Sequence, residues 1–152
     1  MLLRLAELNA AYAAAIDADR LEAWPDFFLP DCVYKITSAD NHKRGYAAGI
    51  VYADSQAMLR DRITALRSAN IFERHSYRHI VGLPIPGGED ADGVRAETPF
   101  LVTRTMRDGT TDLFATGVYL DCVRKAGERL LFAERIVVCD SARFDTLLAI
   151  PL

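Results

Sequence analysis

The stretch VRAETPFLVTRTMRDGTTDLFATGVYLDCVRKAGERLLFAERIVVC (residues 94–139) decides the fold. β-Branched and aromatic residues dominate it and turn-forming residues interrupt it twice, which predicts consecutive antiparallel strands. The pair Asp108-Gly109 predicts a hairpin, because a type I′ turn needs positive φ angles that glycine adopts without strain. We place the strands at Val94–Arg107, Thr111–Arg124 and Arg129–Cys139.

Two shorter strands are predicted upstream of this meander. Cys32–Thr37 alternates β-branched and aromatic residues with polar ones, and Ser76–Leu83 ends at Pro84. The segment Pro86–Asp90 is rich in turn residues, and a polar loop is expected over Asp40–Gly45.

Three helices are predicted in the first half of the chain. Asp19 and Glu22 have the spacing of a capping box, which would begin a short second helix that Pro30-Asp31 ends. Ser55 is a plausible N-cap for a third helix of roughly four turns. The apolar faces are Leu5, Leu8, Tyr12 and Ile16 in the first helix, Leu21, Trp24, Phe27 and Phe28 in the second, and Met58, Leu59, Ile63 and Leu66 in the third.

Helices at the front and long antiparallel strands at the back predict an α+β fold. Each helix has one apolar stripe, so the helices must pack on one face of a curved, mainly antiparallel sheet. A length of 152 residues suits one domain spanning 1–152. This element order resembles the cone-shaped nuclear-transport-factor-2-like fold, which hosts both enzymes and assembly modules, so it leaves function open.

The overall charge excludes some classes of partner. The net charge of −3 argues against binding nucleic acid or an anionic membrane. No apolar run approaches the ~20 residues that cross a bilayer, and the N-terminus lacks the pattern of a signal peptide. We therefore expect a cytoplasmic protein.

The potential metal ligands are few and poorly spaced. Cys32, Cys122 and Cys139 form no C-x-x-C or C-x-H pair, which favours reduced, packed thiols over a disulfide or a Rieske cluster. His75 and His79 lie on a predicted strand, where residues four apart are ~13 Å apart, and His42 lies in a loop. The sequence therefore predicts no metal site in this chain.

Two other functions remain open at this point. A domain of this fold can be an isomerase or dehydratase whose cavity holds tyrosine, aspartate and histidine side chains, or it can bind a small molecule without catalysis. For most of the candidate residues of this chain, a structural role as a helix cap or a core side chain is the simpler interpretation. The candidates for catalysis are Tyr12, Asp17, Asp31, Tyr34, His79 and Asp121.

Arginines and an apolar tail suggest a protein interface. Arginine is enriched at interfaces because its planar guanidinium binds carboxylates and carbonyls in pairs, although a solvated surface would look similar. The segment Leu147–Leu152 is unusually apolar for a chain end and predicts a partner surface or a groove that covers it. The arginines within or beside predicted elements are Arg62, Arg74, Arg78, Arg104 and Arg135.

An ordered series of motifs resembles the small (β) subunits of Rieske-type aromatic-ring-hydroxylating dioxygenases, over nearly the whole chain. Within that family, Ala47–Gln56 and Thr146–Leu152 are most similar to subunits of oxygenases that act on terephthalate, with benzoate, anthranilate and salicylate oxygenases as neighbours. The motifs are Tyr12, Ile16-Asp17, Trp24–Phe28, Asp31–Tyr34, Met58–Ile63, Arg78–Gly82, Glu134-Arg135 and Cys139–Ser141.

The resemblance implies a structural subunit without a cofactor of its own. Its partner would be a larger catalytic α subunit that holds a Rieske 2Fe-2S cluster and a mononuclear iron, typically in an α3β3 hexamer with a β trimer. Electrons would come from NADH through a reductase, and O2 would be added to the ring as a cis-dihydrodiol. We expect interface contacts from Arg62, Arg78, His79, Leu147, Leu148, Ile150 and Leu152.

Overall fold

A computed structural model of the chain describes residues 1–69, 74–143, 148 and 150–152. Within them, three α-helices, a 3-10 helix and seven strands follow one another. The helices are α1 (Leu2–Asp17), the 3-10 helix (Leu21–Phe27), α2 (Ala39–Lys43) and α3 (Gln56–Ser68). The strands are β1 (Phe28–Ser38), β2 (Val51–Ala53), β3 (His75–Val81), β4 (Ile85–Asp90), β5 (Gly93–Met106), β6 (Thr111–Ala126) and β7 (Arg129–Cys139).

The described strands form one sheet in the order β2-β1-β7-β6-β5-β3, with β4 also paired to β5. Neighbouring strands are antiparallel except β1 and β7, which run parallel. The predicted α+β class and the β5–β6–β7 meander are confirmed. The β5–β6 turn is longer than predicted: Met106 N donates to Thr110 O, and in this turn only Gly109 has a positive φ, of 90°.

The predicted capping box is wrong. Asp19 lies in the left-handed region with φ 58°, and the short helix after it begins without a side-chain cap. The carboxylates of Asp19 and Glu22 instead bind the guanidinium of Arg67 on α3, at 3.0 and 2.7 Å. The acidic residues at this spacing therefore join two helices rather than start one.

The second helix also ends earlier than Pro30. It stops at Phe27, and β1 starts at Phe28 and continues through Pro30 and Asp31. The pairing of β1 with β7 shifts register between Phe28 and Val33. Proline has no N–H to donate, so it is tolerated where the ladder is already interrupted.

Two segments predicted as loops are regular. Within the predicted Asp40–Gly45 loop lies most of α2, whose N-cap Ser38 accepts a hydrogen bond from Asn41 N. A strand, β4, is found where a turn was predicted at Pro86–Asp90. All its residues are exposed, so its sequence lacks the alternation of apolar and polar residues that would indicate a strand. By contrast, α3 begins as predicted, with the Ser55 hydroxyl accepting from Met58 N, although Met58 itself is exposed.

The core lies between the helices and one face of the sheet, which we call the inner face. Tyr12 of α1 packs edge-on against Phe28, Tyr119 and Phe132 of three different strands. Trp24 of the 3-10 helix does the same with Tyr34 of β1. Apolar burial of this kind is the main stabilising term of the fold.

A buried cation lies at the centre of this core. The Arg135 guanidinium donates to both carboxylate oxygens of Asp121, at 2.8 and 2.7 Å, and to the amide oxygen of Asn9. Its Cζ atom lies 3.9–4.3 Å from the ring centroids of Tyr12, Tyr119 and Phe132. Burial acts to lower the pKa of Arg135, but Asp121, Tyr12 and Tyr119 together raise it, so the guanidinium stays charged.

Removing the buried counterion should destabilise the fold strongly. Asp121→Ala leaves Arg135 charged without its carboxylate, and we expect a loss of about 3–5 kcal/mol in urea unfolding. Glu134→Ala is the control, because its 3.4 Å pair with Arg95 is partly exposed and is worth about 1 kcal/mol or less. Equal losses in the two variants would contradict a central role for the buried pair.

Candidate functional site

The opposite side of the sheet, the outer face, carries apolar residues that the described part of the chain leaves exposed or only partly buried. Ile80 of β3 pairs with Leu101 of β5, and Leu120 of β6 pairs with Ile136 of β7. Ile80 is 60% exposed and Leu113 of β6 is 63% exposed, while Leu101, Leu120 and Ile136 are partly exposed. We call these five residues the outer stripe.

The position of α1 explains why no helix lies over the outer stripe among the described residues. α1 contacts β3 and β7, and its Tyr12 reaches Arg135 on the inner face. On the outer face the loop near Tyr46 lies over β1, where Lys35 Nζ donates to Tyr46 O at 2.9 Å, and the neighbouring α2 contacts β1 and β7. An apolar row across β3, β5, β6 and β7 is the kind of surface that a protein partner covers.

Sequence reasoning missed the outer stripe, although a signal was present. The runs Val118-Tyr119-Leu120 and Ile136-Val137-Val138 are apolar on both faces of their strands. Strands that are apolar on both faces are typical of sheets covered on both sides. Since the described α1 packs on the inner face, these runs indicate that the outer face is covered as well.

Arg78 lies beside this stripe and is available for contact. Its side chain is 72% exposed on β3, which is an edge strand, and its Nη1 atom is 3.9 Å from the Asp17 carboxylate. A guanidinium with one weak, partly solvated ion pair retains most of its hydrogen-bonding capacity. The predicted interface role of Arg78 fits this position and stays a prediction.

His79 is differently placed from its neighbour. Its side chain is fully buried, with Nδ1 2.7 Å from Asp17 Oδ1, and its backbone N–H donates to Asp17 Oδ2 at 2.8 Å. Asp17 therefore fastens the end of α1 to β3 through both carboxylate oxygens. A contact between His79 and a partner stays a prediction, but within this chain the residue has a structural role.

The apolar tail folds into the chain's own core. Leu148, Ile150 and Leu152 are buried, and Arg62 Nη2 on α3 donates to Leu148 O at 2.7 Å. The groove that the sequence required is therefore supplied by this chain. Leu147 lies outside the described residues, and contacts of Arg62 and the tail with a partner stay predictions.

The candidate catalytic residues do not share one set of contacts, because they bind different partners. Tyr12 and Tyr34 both donate to the main-chain oxygen of Leu152, at 2.6 and 2.9 Å. Asp121 is bound by Arg135, and although burial raises its pKa, Arg135 opposes the rise. Asp17 is bound to His79, and Asp31 is exposed on β1. The two hydroxyls could polarise an oxygen, but the carboxylates of Asp17 and Asp121 are bound to other side chains and Asp31 lies at the surface.

The described residues contain no group of three or more histidine, cysteine, aspartate or glutamate side chains that could hold a metal ion. His42 is exposed on α2, while Nδ1 of His79 is taken by Asp17. The cysteines are free and buried, and burial raises the pKa of Cys32 to about 11 and that of Cys139 to about 12.

Across the described helices, none is both long and apolar enough to cross a membrane.

Known proteins match this chain along almost its whole length. The family model described as ring hydroxylating beta subunit matches residues 11–146. The chain is 55% identical to subunit beta 1 of the terminal oxygenase component of terephthalate 1,2-dioxygenase from Comamonas sp., over 99% of this chain and 97% of the relative.

Two further relatives agree with this match. Identity to the small subunit of anthranilate 1,2-dioxygenase from Burkholderia cepacia is 38%, over 95% of this chain and 90% of the relative. A solved β subunit assigned to an aromatic-ring-hydroxylating dioxygenase of Novosphingobium aromaticivorans superposes with a TM-score of 0.91 at 37% identity, over 99% and 96% of the two chains. The predicted family resemblance and cone-shaped fold are confirmed.

Alkaline pH should reveal the buried tyrosines. Burial raises the pKa of Tyr12 and raises those of Tyr34 and Tyr119 well above 10. The native state then holds these protons more tightly than the unfolded state, so the stability they contribute is complete below pH ~10 and is lost as the pH rises above it. In a titration followed by tyrosinate absorbance, these three of the six tyrosines should ionise together with unfolding. Ionisation of all six in a folded chain would contradict this.

Proposed function

This chain belongs to the family of ring-hydroxylating β subunits, and we propose that its work in the oxygenase is assembly rather than chemistry. It is a β subunit of an aromatic-ring-hydroxylating dioxygenase, and we propose that residues 1–152 form a single domain. In this proposal it holds the catalytic subunits in place and supplies no group to the reacting centre.

The outer stripe is the observation that carries the proposal. It presents apolar side chains from four adjacent strands, with Arg78 beside it as a charged contact. Three copies that meet through this face and a second patch would close into a ring. Interfaces of obligate assemblies commonly bury more than ~2,000 Å² in total. We propose a β trimer within an α3β3 hexamer.

The partner is an α subunit that carries the redox centres. The described residues of this chain include no metal-binding cluster, so a Rieske 2Fe-2S cluster and a mononuclear iron belong in the larger chain. In the proposed complex, electrons reach the partner from NADH through a reductase, and the complex works in the cytoplasm in aromatic catabolism.

The substrate class follows from the relatives. The matching proteins are subunits of terephthalate and anthranilate dioxygenases, which act on ring compounds bearing carboxylates. We propose an aromatic acid, with terephthalate first, as the substrate of the assembled enzyme. Because the active site lies in the partner, this chain would influence substrate choice only indirectly.

Co-purification tests the proposal. The tagged chain is recovered from its native cells grown on terephthalate, and the eluate is analysed by native mass spectrometry and assayed for iron. A larger iron-containing chain at equal stoichiometry is the expected result. An iron-free chain that purifies only with copies of itself would overturn the proposal.

A charge in the outer stripe should prevent assembly. Ile80→Asp buries a carboxylate without a partner in the proposed interface, and we expect about 30- to 1,000-fold weaker association, or about 2–4 kcal/mol. Met58→Asp is the matched control, because Met58 is an exposed apolar residue on α3. Circular dichroism should show both variants folded, and native mass spectrometry should show only Ile80→Asp dissociated. Equal masses of both complexes would argue against the outer face.

Arg78→Ala should loosen the complex while leaving iron chemistry intact. Loss of one partly solvated charged contact should weaken assembly by roughly tenfold, without changing iron content per α subunit. Arg44→Ala, which removes an arginine of similar exposure on the opposite edge of the chain near α2, is the control. Unchanged hexamer mass and activity for Arg78→Ala would contradict its assignment to the interface.

A further inference from the structure

The interior of the cone contains a built site for one oxygen atom. Tyr12 and Tyr34, both fully buried, donate their hydroxyl hydrogens to the main-chain oxygen of Leu152. Leu152 N in turn donates to the Tyr34 hydroxyl at 3.2 Å. Two phenols on one oxygen form the arrangement that enzymes use to bind and polarise an acyl group.

Further buried polar atoms lie in the same aromatic core as the two phenols. Trp24 Nε1, Tyr119 Oη and Arg135 Nη1 are buried and have no hydrogen-bond partner among the described residues. Buried polar groups without partners are rare and costly in native proteins. Their excess indicates that the interior accepts more oxygen atoms than Leu152 provides.

Apolar side chains lie beside these donors. The side chain of Leu152 is fully buried, in the core cluster that contains Trp24, Phe28 and Phe132. Trp24 and Tyr34 meet edge to face with centroids 5.1 Å apart, so aromatic walls flank the donors. The site therefore has hydrogen-bond donors on one side and apolar side chains on the other. Leu152 fits both, because it supplies an acyl oxygen joined to a branched apolar side chain.

We propose that the cone interior is an acyl-binding site, for a carboxylate or a carboxamide on a small apolar body, and that the tail occupies it in cis. The tail is then a tethered ligand, held by Tyr12 and Tyr34 at Leu152 and by Arg62 at Leu148. The charge of the acyl group determines which donors each of the two ligand types needs. Arg135 is already neutralised by Asp121, so an anion relies on the remaining donor Nη1, whereas an amide needs only the phenols and Trp24. This inference does not rest on the assembly role proposed above.

The test removes the occupant and supplies it separately. In a chain that lacks residues 148–152, 4-methylvalerate and 4-methylvaleramide reproduce the Leu152 side chain with a charged and a neutral acyl group. We expect calorimetric binding and a higher melting temperature with at least one probe, and the better probe identifies the ligand's charge. Tyr12→Phe/Tyr34→Phe in the shortened chain should weaken binding about tenfold or more, because two hydrogen bonds are lost. No binding of either probe to a folded shortened chain, or equal binding by the double variant, would overturn the proposal.

A second measurement decides the matter where the shortened chain does not fold. In the full chain, Tyr12→Phe/Tyr34→Phe keeps the ring volumes and removes both hydroxyls. We expect amide hydrogen exchange at Leu152 to become at least about tenfold faster, because its N–H and oxygen both lose their partners. Tyr77→Phe, which changes a buried tyrosine on β3, is the control and should leave that exchange unchanged. Unchanged exchange in the double variant would overturn the proposal.

Discussion

The structure depends on how one buried cation is accommodated. Arg135 brings a full positive charge to the middle of an aromatic core, and three features make this tolerable: the Asp121 carboxylate, the Asn9 amide and three aromatic rings. These partners come from α1, β6 and β7, so the guanidinium can be satisfied only when helix and sheet are correctly docked. A hydrophobic residue at this position would be easier to bury but would specify the docking less sharply.

This constraint separates the inside of the cone from its outside. Inside, the hydroxyls of Tyr12 and Tyr34 are hydrogen-bonded to the chain's own tail, which completes the packing. Outside, the outer stripe alternates with the core residues and is exposed or only partly buried among the described residues. The fold thus has a closed side and a side left for association, and the strands supply both because successive residues point to opposite faces.

The elements that depend on local sequence pattern could be predicted from the sequence. The meander, α1 and the Ser55 cap of α3 follow from periodicity and turn chemistry, and they were confirmed. β4 could not be predicted because all its residues are exposed, so it lacks alternation. The capping box failed because Asp19 and Glu22 are held by Arg67, a contact 45 or more residues away in sequence. For the site, residue type identified Tyr12, Tyr34 and Asp121, but only the fold shows that the tyrosines share an oxygen while Asp121 is bound to Arg135.

The parallel pairing of β1 with β7 has a consequence for how the chain is made. Tyr34 lies opposite Arg135, roughly a hundred residues later, so the sheet cannot be completed until almost the whole chain has been synthesised. Contacts between such distant segments require a large loop to close first, and they slow folding. Until β7 arrives, β1 presents an unpaired edge and the aromatic side chains meant for the core. The nascent chain is therefore most exposed to aggregation just before its last strand leaves the ribosome.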